Sequence, residues 1–207
     1  MEKKLDIDNP FFEYMGRVAD VVLLNILFII GSLPIFTIGM TSTSMYSVVF
    51  KLVRREEVSV VREFIKVCKK EWKQSTKIWC MLLFTGIILL VDILYVSQLN
   101  QAGIWRMMGI VVGILTGLWV ILFSYVFPVL AQFDNTTKNT IKNAFIMAIR
   151  HLPYTVLILI LNSIPVVCLL LGAYFTGLIV PIYLFAGFAT VAFINGMILN
   201  RVFKIYI

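Results

Sequence analysis

Long stretches of this chain lack charged side chains, and this feature constrains its fold more than any other. Four runs of about twenty residues are nearly free of charge, at 78–98, 107–132, 153–172 and 178–200, and a fifth, split run covers 18–52. A helical apolar stretch of ~20 residues matches the ~30 Å hydrocarbon thickness of a bilayer. Since 60% of the residues are hydrophobic and 14% are charged, too few polar faces remain to cover five such segments in a soluble fold. We therefore predict an all-α, polytopic transmembrane helical bundle, with residues 1–207 forming a single membrane domain.

The distribution of Lys and Arg predicts how the chain is oriented. Seventeen of the eighteen lie in the N-terminal arm, in 51–77, in 133–152 or after residue 200, and only Arg106 lies in the other two connections. Cytoplasmic loops of membrane proteins carry such an excess of positive charge. We therefore expect a protein of the cytoplasmic membrane, with both termini and both long connections in the cytoplasm. The net charge of +7 then indicates contact with anionic lipid headgroups, above all at 51–77, and not with nucleic acid.

The split run at 18–52 must return to the side on which it started. Pro34 lies halfway, and each arm has sixteen residue steps, or ~24 Å of helix, which is short for a full crossing. Pro34 disfavours helix at Leu33 and removes a backbone donor. The hydroxyl-rich segment 37–44 predicts a turn at membrane depth, which is tolerated only inside protein or beside a wet cavity. We favour a partly re-entrant pair broken at Pro34 over two short crossings, giving about six membrane segments.

Two connections predict cytoplasmic amphipathic helices. In 58–73, apolar residues including Phe64 and Trp72 recur at helical spacing, and basic residues fill the other side. In 137–152, a second apolar stripe includes Phe145. Helices of this kind lie on a membrane surface or against a partner. We expect Phe64, Trp72 and Phe145 to be the side chains that dock a partner protein.

A group of hydroxyl side chains after Pro34 is a candidate polar site. Its members are Thr37, Thr41, Thr43 and Ser44. A half-helix that starts near Thr41 would aim its positive end at the bilayer midplane, as in transporter sites. Alternatively, the hydroxyls satisfy backbone groups freed near Pro34 and Gly39.

Asp92 is the one acid well inside a predicted full span. An unpaired charge there costs at least ~2.5–3.5 kcal/mol on insertion scales. One interpretation is an ion or proton site, and the other is an ion pair with Arg106 across the short turn 99–105. The span residues Asn25, Asn162 and Asn195 are expected to form hydrogen bonds between helices.

The motifs that would indicate catalysis do not occur in the sequence. It contains no Walker loop, no H-E-x-x-H, no dinucleotide fingerprint and no paired catalytic carboxylates. The three cysteines include no C-x-x-C, and His151 is the single histidine. We expect a protein that is not an enzyme and that holds no cofactor and no metal.

The segment around Pro34 resembles the LPxFTxGxxxTxxY signature of the YesL-like family of bacterial membrane proteins. Residues 33–39, 43 and 46 match it. Agreement continues in Asn9-Pro10-Phe11, Glu63-Phe64, 72–74, 127–131, Phe133-Asp134, Asn143-Ala144 and 151–153, so that it covers nearly the whole chain. The family departs from this chain at Met40-Thr41, where it usually has small residues. It has no assigned activity, and the resemblance implies a setting in oligosaccharide uptake through ATP-driven importers.

Two functions are compatible with these features. The protein is either a transport-associated subunit that forms part of an ABC-type importer of oligosaccharides or assists one, or a membrane-embedded regulator or assembly factor without its own translocation pathway. A wet, polar-lined central cavity would favour the first. A core closed by Phe and Leu, with polar residues only at helix contacts, would favour the second.

The orientation can be tested with cysteines introduced one at a time. Cysteine at Gln101 or Thr176 should react with an impermeant thiol reagent added to intact cells, whereas cysteine at Glu57 should react only after lysis, because positive charge keeps 51–77 inside. The unaltered protein, labelled in parallel, gives the background from its own three cysteines. External labelling at position 57 would overturn the orientation.

Overall fold

The chain forms a bundle of helices in the computed structural model, which describes residues 10–98 and 103–206. The elements are α1 (Pro10–Ser32), a 3₁₀ turn (Ile35–Thr37), α2 (Ile38–Val53), α3 (Val60–Gln98), α4 (Ile104–Gln132), α5 (Thr137–Arg150), α6 (Leu152–Leu170), α7 (Ala173–Ile182), a π-helical segment (Tyr183–Gly187) and α8 (Phe188–Phe203). The prediction of an all-α bundle is confirmed.

Five stretches of the described helices are long and apolar enough to cross a membrane. They are Met15–Ser32, Val60–Gln98, Trp105–Gln132, Leu152–Leu170 and Ala173–Phe203. The helix α2 has 16 residues, or ~24 Å, which is shorter than the ~30 Å hydrocarbon layer. Four of these stretches correspond to the four apolar runs predicted as full spans, and α1 with α2 corresponds to the split run 18–52.

The short helix α2 lies at the centre of the bundle and packs against α1, α3, α4 and α8. On one side, Met45, Val48 and Val49 form a core cluster with residues of α1, α3 and α8. On another, Phe50 joins a larger cluster that contains Tyr125 of α4. The core is thus built around a helix that is too short to span the bilayer.

Glycines permit the neighbouring backbones to approach α2 closely. A Cβ at Gly39 would lie 2.7 Å from the backbone oxygen of Ser75 and 2.6 Å from the Cβ of Trp79. A Cβ at Gly196 of α8 would collide with Val49. Small residues of this kind are typical of helix contacts in membranes, where close backbone approach supplies the packing energy.

The predicted surface helix 58–73 and the predicted span 78–98 form one continuous helix, α3. Its 39 residues correspond to ~58 Å, about twice the hydrocarbon thickness. The second predicted surface helix, 137–152, is instead a separate element, α5. The backbone at His151 departs from helical geometry, with φ −118° and ψ 47°, and Pro153 then occupies the first turn of α6, where its missing N–H is tolerated.

The turn between α1 and α2 lies where the apolar part of α3 begins. The indole Nε1 of Trp79 donates to the carbonyl of Ile35 over 2.7 Å. From there α2 runs antiparallel to the basic part of α3, and Lys51 near its end pairs with Glu63 at 2.9 Å. The turn between α1 and α2 therefore lies level with the start of the apolar run 78–98. The connections 51–77 and 133–151 lie at this end, which we call the basic end.

The predicted hydroxyl-rich turn at 37–44 is wrong. Only Thr37 belongs to the 3₁₀ turn, and α2 begins at Ile38. The physical reason is that Thr and Ser can bond to a carbonyl three or four residues earlier in their own helix. Thr43 does so to Gly39 over 2.9 Å, and Ser44 to Met40 over 2.9 Å, so that the hydroxyls are satisfied without a turn.

Asn25 secures the irregular π-helical segment between α7 and α8. Its Nδ2 donates to the carbonyls of Tyr183 at 3.1 Å and Leu184 at 3.0 Å. Its Oδ1 accepts from the backbone N–H of Ala189 at 3.0 Å. π segments disturb the regular helical ladder, and in a bilayer the freed groups must find partners inside the protein. The expectation that Asn25 forms hydrogen bonds between helices is confirmed.

Replacing Asn25 by Leu should lower the free energy of unfolding by at least about 2 kcal/mol, since three hydrogen bonds at ~0.6 kcal/mol each are lost and three backbone groups lose their partner. Chemical denaturation in detergent measures the loss. Ser163→Ala is the control, because its exposed hydroxyl donates to the carbonyl of Ile160 in its own helix, α6. Equal losses in the two variants would contradict this role of Asn25.

Candidate functional site

The hydroxyl side chains predicted as a polar site lie at the contacts of α2 with its neighbours. Thr37 donates to the carbonyl of Gly31 at 2.6 Å. The hydroxyls of Thr41 and Ser32 are 2.7 Å apart, which joins α2 to α1. Thr41 also donates to the carbonyl of Ile38 at 3.0 Å.

The next two hydroxyls join α2 to α3. Ser75 of α3 donates to the hydroxyl of Thr43 over 3.2 Å, and the hydroxyl of Ser44 lies 3.1 Å from Sγ of Cys68. Thr41, Thr43 and Ser44 are fully buried. The structure thus uses these hydroxyls to hold helices together, and it does not present them to a cavity.

The largest described groove lies beside α2 and is mainly apolar. It has a volume of about 780 Å³ and is walled by α1, α2, α4, α6, α8 and the π-helical segment. Phe28, Phe123, Phe127 and Phe188 contribute to its wall, and the polar lining includes Ser32, Ser42, Ser124 and Asn162. We call this surface the α2 groove. A groove with such walls accommodates a helix or an acyl chain more readily than a sugar.

A chain of polar side chains crosses the bundle at the edge of the α2 groove. Asn195 Nδ2 donates to Asn162 Oδ1 at 2.8 Å, and Asn162 Nδ2 donates to the hydroxyl of Ser124 at 3.3 Å. This confirms the expected hydrogen bonding of Asn162 and Asn195 between helices. Within the described part of the chain, the buried Oδ1 of Asn195 has no hydrogen-bond partner.

Asp92 lies on the α3–α4 hairpin, in a second apolar groove of about 430 Å³. We call it the Asp92 groove. Leu89, Leu115 and Trp119 also belong to its lining. The groove also extends to Ile78 near the basic end. Asp92 is therefore the only acid among the residues that line this groove.

The predicted ion pair between Asp92 and Arg106 is not formed in this structure. Among the ion pairs of the described residues, none joins the two side chains. The Cα–Cβ bonds of a helix tilt toward its N-terminus, and α3 and α4 run in opposite directions. Asp92 therefore leans toward the basic end, whereas Arg106, at the start of α4, leans away from it and is exposed.

The structure separates the three predicted docking residues. Phe64 is 4% exposed and belongs to the core cluster beside α2, so its assignment as a docking residue is corrected. Trp72 is 52% exposed and Phe145 is 36% exposed. The reason is that the basic part of α3 carries two apolar stripes. One contains Phe64 and faces α2, and the other contains Val61, Ile65 and Trp72 and faces outward.

Charged side chains at the basic end tie α3 to the connection after α4. Lys70 lies 2.6 Å from Asp134, and Gln74 donates to the carbonyl of Asn135 at 2.7 Å. Lys73 lies 5.6 Å from the ring centroid of Trp72. In the described ranges, no group of three His, Cys, Asp or Glu side chains could hold a metal ion.

Comparisons with known proteins show which proteins this chain resembles. A model described as "Protein of unknown function, DUF624" matches residues 21–93. The resemblance to YesL-like proteins is confirmed. The chain is 25% identical over 164 residues to "Uncharacterized protein YesL" of Bacillus subtilis (strain 168), covering 79% of this chain and 76% of that protein. It is 27% identical over 174 residues to "Uncharacterized protein YteU" of the same organism, covering 84% of this chain and 76% of that protein. No solved structure matches.

The region matched by the DUF624 model contains the parts that build the centre of the bundle. Residues 21–93 include Asn25, the whole of α2, the basic part of α3 and Asp92. Sequence reasoning found Asn25 and Asp92 from their polarity within apolar runs. It missed the two grooves, because a groove depends on how far apart the helices lie and leaves no local pattern.

Phe64→Ala should lower the free energy of unfolding by about 3–5 kcal/mol, the usual cost of truncating a buried Phe. Trp72→Ala should lower it by less than about 1 kcal/mol, because much of that side chain is already exposed. Thermal unfolding of the two variants in the same detergent compares them directly. A larger loss in the Trp72 variant would contradict the separation of the two stripes.

Proposed function

We propose that this protein is a membrane-embedded accessory subunit without a solute pathway of its own. It associates laterally, within the plane of the membrane, with another membrane protein. The observation that carries this proposal is the use of the α2 hydroxyls. Thr41, Thr43 and Ser44 are buried, and their hydrogen bonds go to α1, to α3 and to α2 itself. A solute pathway would need such groups to face a wet cavity.

The apolar core gives the same indication. Phe50, Phe203 and Phe133 pack ring against ring, with centroids 5.6 and 5.4 Å apart for the pairs that Phe203 makes. Tyr125 and Leu199 are buried in the same cluster. The centre of the described bundle is thus closed by aromatic and aliphatic side chains, as expected of a protein that works through its outer surfaces.

The outer surfaces offer contact sites in two places, within the predicted spans and at the basic end. Within the predicted spans, the α2 groove and the Asp92 groove present concave apolar walls. At the basic end, Trp72 projects from a helix that also carries exposed Lys66 and Lys69. Exposed aromatic residues commonly anchor protein interfaces. We infer from the distribution of positive charge that the basic end faces the cytoplasm.

The partner class that we propose to test first is an ABC-type importer of oligosaccharides. This choice rests on the resemblance to YesL-like proteins and on the setting in sugar uptake that it implies. On this proposal, the protein assists the importer or helps to assemble it, and the importer's own subunits carry the sugar. A regulator of another membrane protein would use the same surfaces.

The absence of a pathway can be tested with the purified protein alone. Proteoliposomes that contain it should take up a labelled maltooligosaccharide no faster than protein-free liposomes, because the described core is closed. Uptake that depends on the protein would contradict the proposal. A known sugar transporter, reconstituted in parallel, shows that the vesicles are tight and the assay is sensitive.

Partner binding is tested by purification in mild detergent from cells that express the protein with an importer. A stoichiometric importer subunit should co-purify with the unaltered protein, and Trp72→Ala should reduce its yield several-fold while leaving the protein in the membrane. Leu171→Ala is the control, because Leu171 is exposed and follows the end of α6 that is remote from the basic end. If no subunit co-purifies under any mild condition, the accessory role fails.

A further inference from the structure

We propose that the Asp92 groove seats a transmembrane helix of another membrane protein, and that this helix presents a Lys or Arg side chain to the carboxylate of Asp92. This inference rests on the proposed lateral association and specifies its chemistry within the membrane. It assigns to Asp92 the role of a binding residue.

The shape of the groove favours a helix as its occupant. Its lining on α3 runs from Ile78 to Asp92, fourteen residues on, which corresponds to ~21 Å of helix. The facing wall comes from α4 and includes Leu115, Trp119 and Val126. Two antiparallel helices with an apolar furrow between them form the surface on which a third helix packs by inserting its ridges.

The charge of Asp92 determines what the occupant must carry. An isolated carboxylate inside a membrane span is energetically unfavourable, and such acids pair with a cation or face water. Asp92 lies six residues inside the end of α3 at Gln98, ~9 Å along the axis. Among the described residues, no ion pair includes Asp92.

The other polar side chains of the groove already have hydrogen-bond partners. Trp119 Nε1 donates to the carbonyl of Leu82 and to the hydroxyl of Thr85, at 3.1 Å each. The hydroxyl of Thr85 donates to the carbonyl of Met81 at 2.9 Å. Among the described residues of the hairpin, no hydrogen bond or ion pair is made to the carboxylate of Asp92, so that a cation from another chain can pair with it.

A second copy of this chain does not supply the required cation. Arg106 is the cation next to this end of the described hairpin, and it leans away from the basic end whereas Asp92 leans toward it. A two-fold dimer would place the two groups at different depths. A lipid acyl chain would fill the furrow but would leave the carboxylate unpaired. A helix with its own Lys or Arg satisfies both the shape and the charge.

The test uses two synthetic transmembrane peptides of leucine and alanine, one with a single central Lys and one with Leu at that position. The full-length protein is reconstituted in phosphatidylcholine vesicles, and association with labelled peptide is followed by energy transfer. We expect the Lys peptide to bind at least about tenfold more tightly than the Leu peptide, equivalent to ~1.4 kcal/mol. Asp92→Asn should remove that difference.

The matched control moves the acid by one residue. The double variant Asp92→Leu with Val91→Asp keeps a carboxylate at nearly the same depth, but Val91 is 57% exposed and is not among the groove lining. It should bind the two peptides equally. Recovery of the preference for Lys in this variant would overturn the groove as the seat, since any acid at this depth would then suffice.

Further outcomes separate this inference from its alternatives and from the accessory role. Equal binding of both peptides to the unaltered protein overturns the inference, and so does a dimer that Asp92→Asn dissociates. Thermal unfolding of each variant in the same lipid confirms that loss of binding is not loss of fold, and Asp92→Glu should retain the preference. If an importer subunit co-purifies equally with Asp92→Asn, the inference fails while the accessory role stands. If the Lys peptide binds as expected but no subunit co-purifies, the accessory role fails and the groove assignment stands.

Discussion

The close approach of α2 to the helices around it is the constraint on which the rest of this bundle depends. Gly39 and Gly196 leave room for backbone and side chains that a Cβ would displace. The hydroxyls of Thr41, Thr43 and Ser44 then find partners on the neighbouring helices or within α2. A buried polar group that is left without a hydrogen-bond partner costs about 1–3 kcal/mol. The short, hydroxyl-rich helix α2 is stable because four helices cover it. Their packing against α2 fixes the positions of α1, α3, α4 and α8.

Length and hydrophobicity were sufficient to predict the number and approximate bounds of the spanning helices. The ~20-residue requirement of the bilayer is a strong physical restriction, and the four predicted full spans follow it closely. The broken unit was also predictable, because Pro34 cannot continue a helix in the regular way. The polar span residues Asn25, Asn162 and Asn195 were expected to join helices, and the structure shows their hydrogen bonds.

The remaining differences between prediction and structure arise where one sequence pattern is compatible with two local structures. The basic part of α3 has apolar residues on two faces, and periodicity alone does not show that Phe64 faces α2 while Trp72 faces outward. The hydroxyls after Pro34 are equally consistent with a turn or with a helix whose own carbonyls they bond. The π-helical segment at Tyr183–Gly187 depends on Asn25, more than 150 residues earlier, so that no local signal reveals it.

Helix α3 is continuous from Val60 to Gln98, so that a tilt of its axis moves both of its ends. Residues 60–77 extend ~27 Å beyond the start of its apolar part, so a tilt of about 10° in the membrane would move the far tip by about 5 Å. Helix α3 carries Asp92 near one end and Trp72 toward the other. The two side chains are therefore about 30 Å apart along one helix axis, and a tilt of this single helix would move both of them.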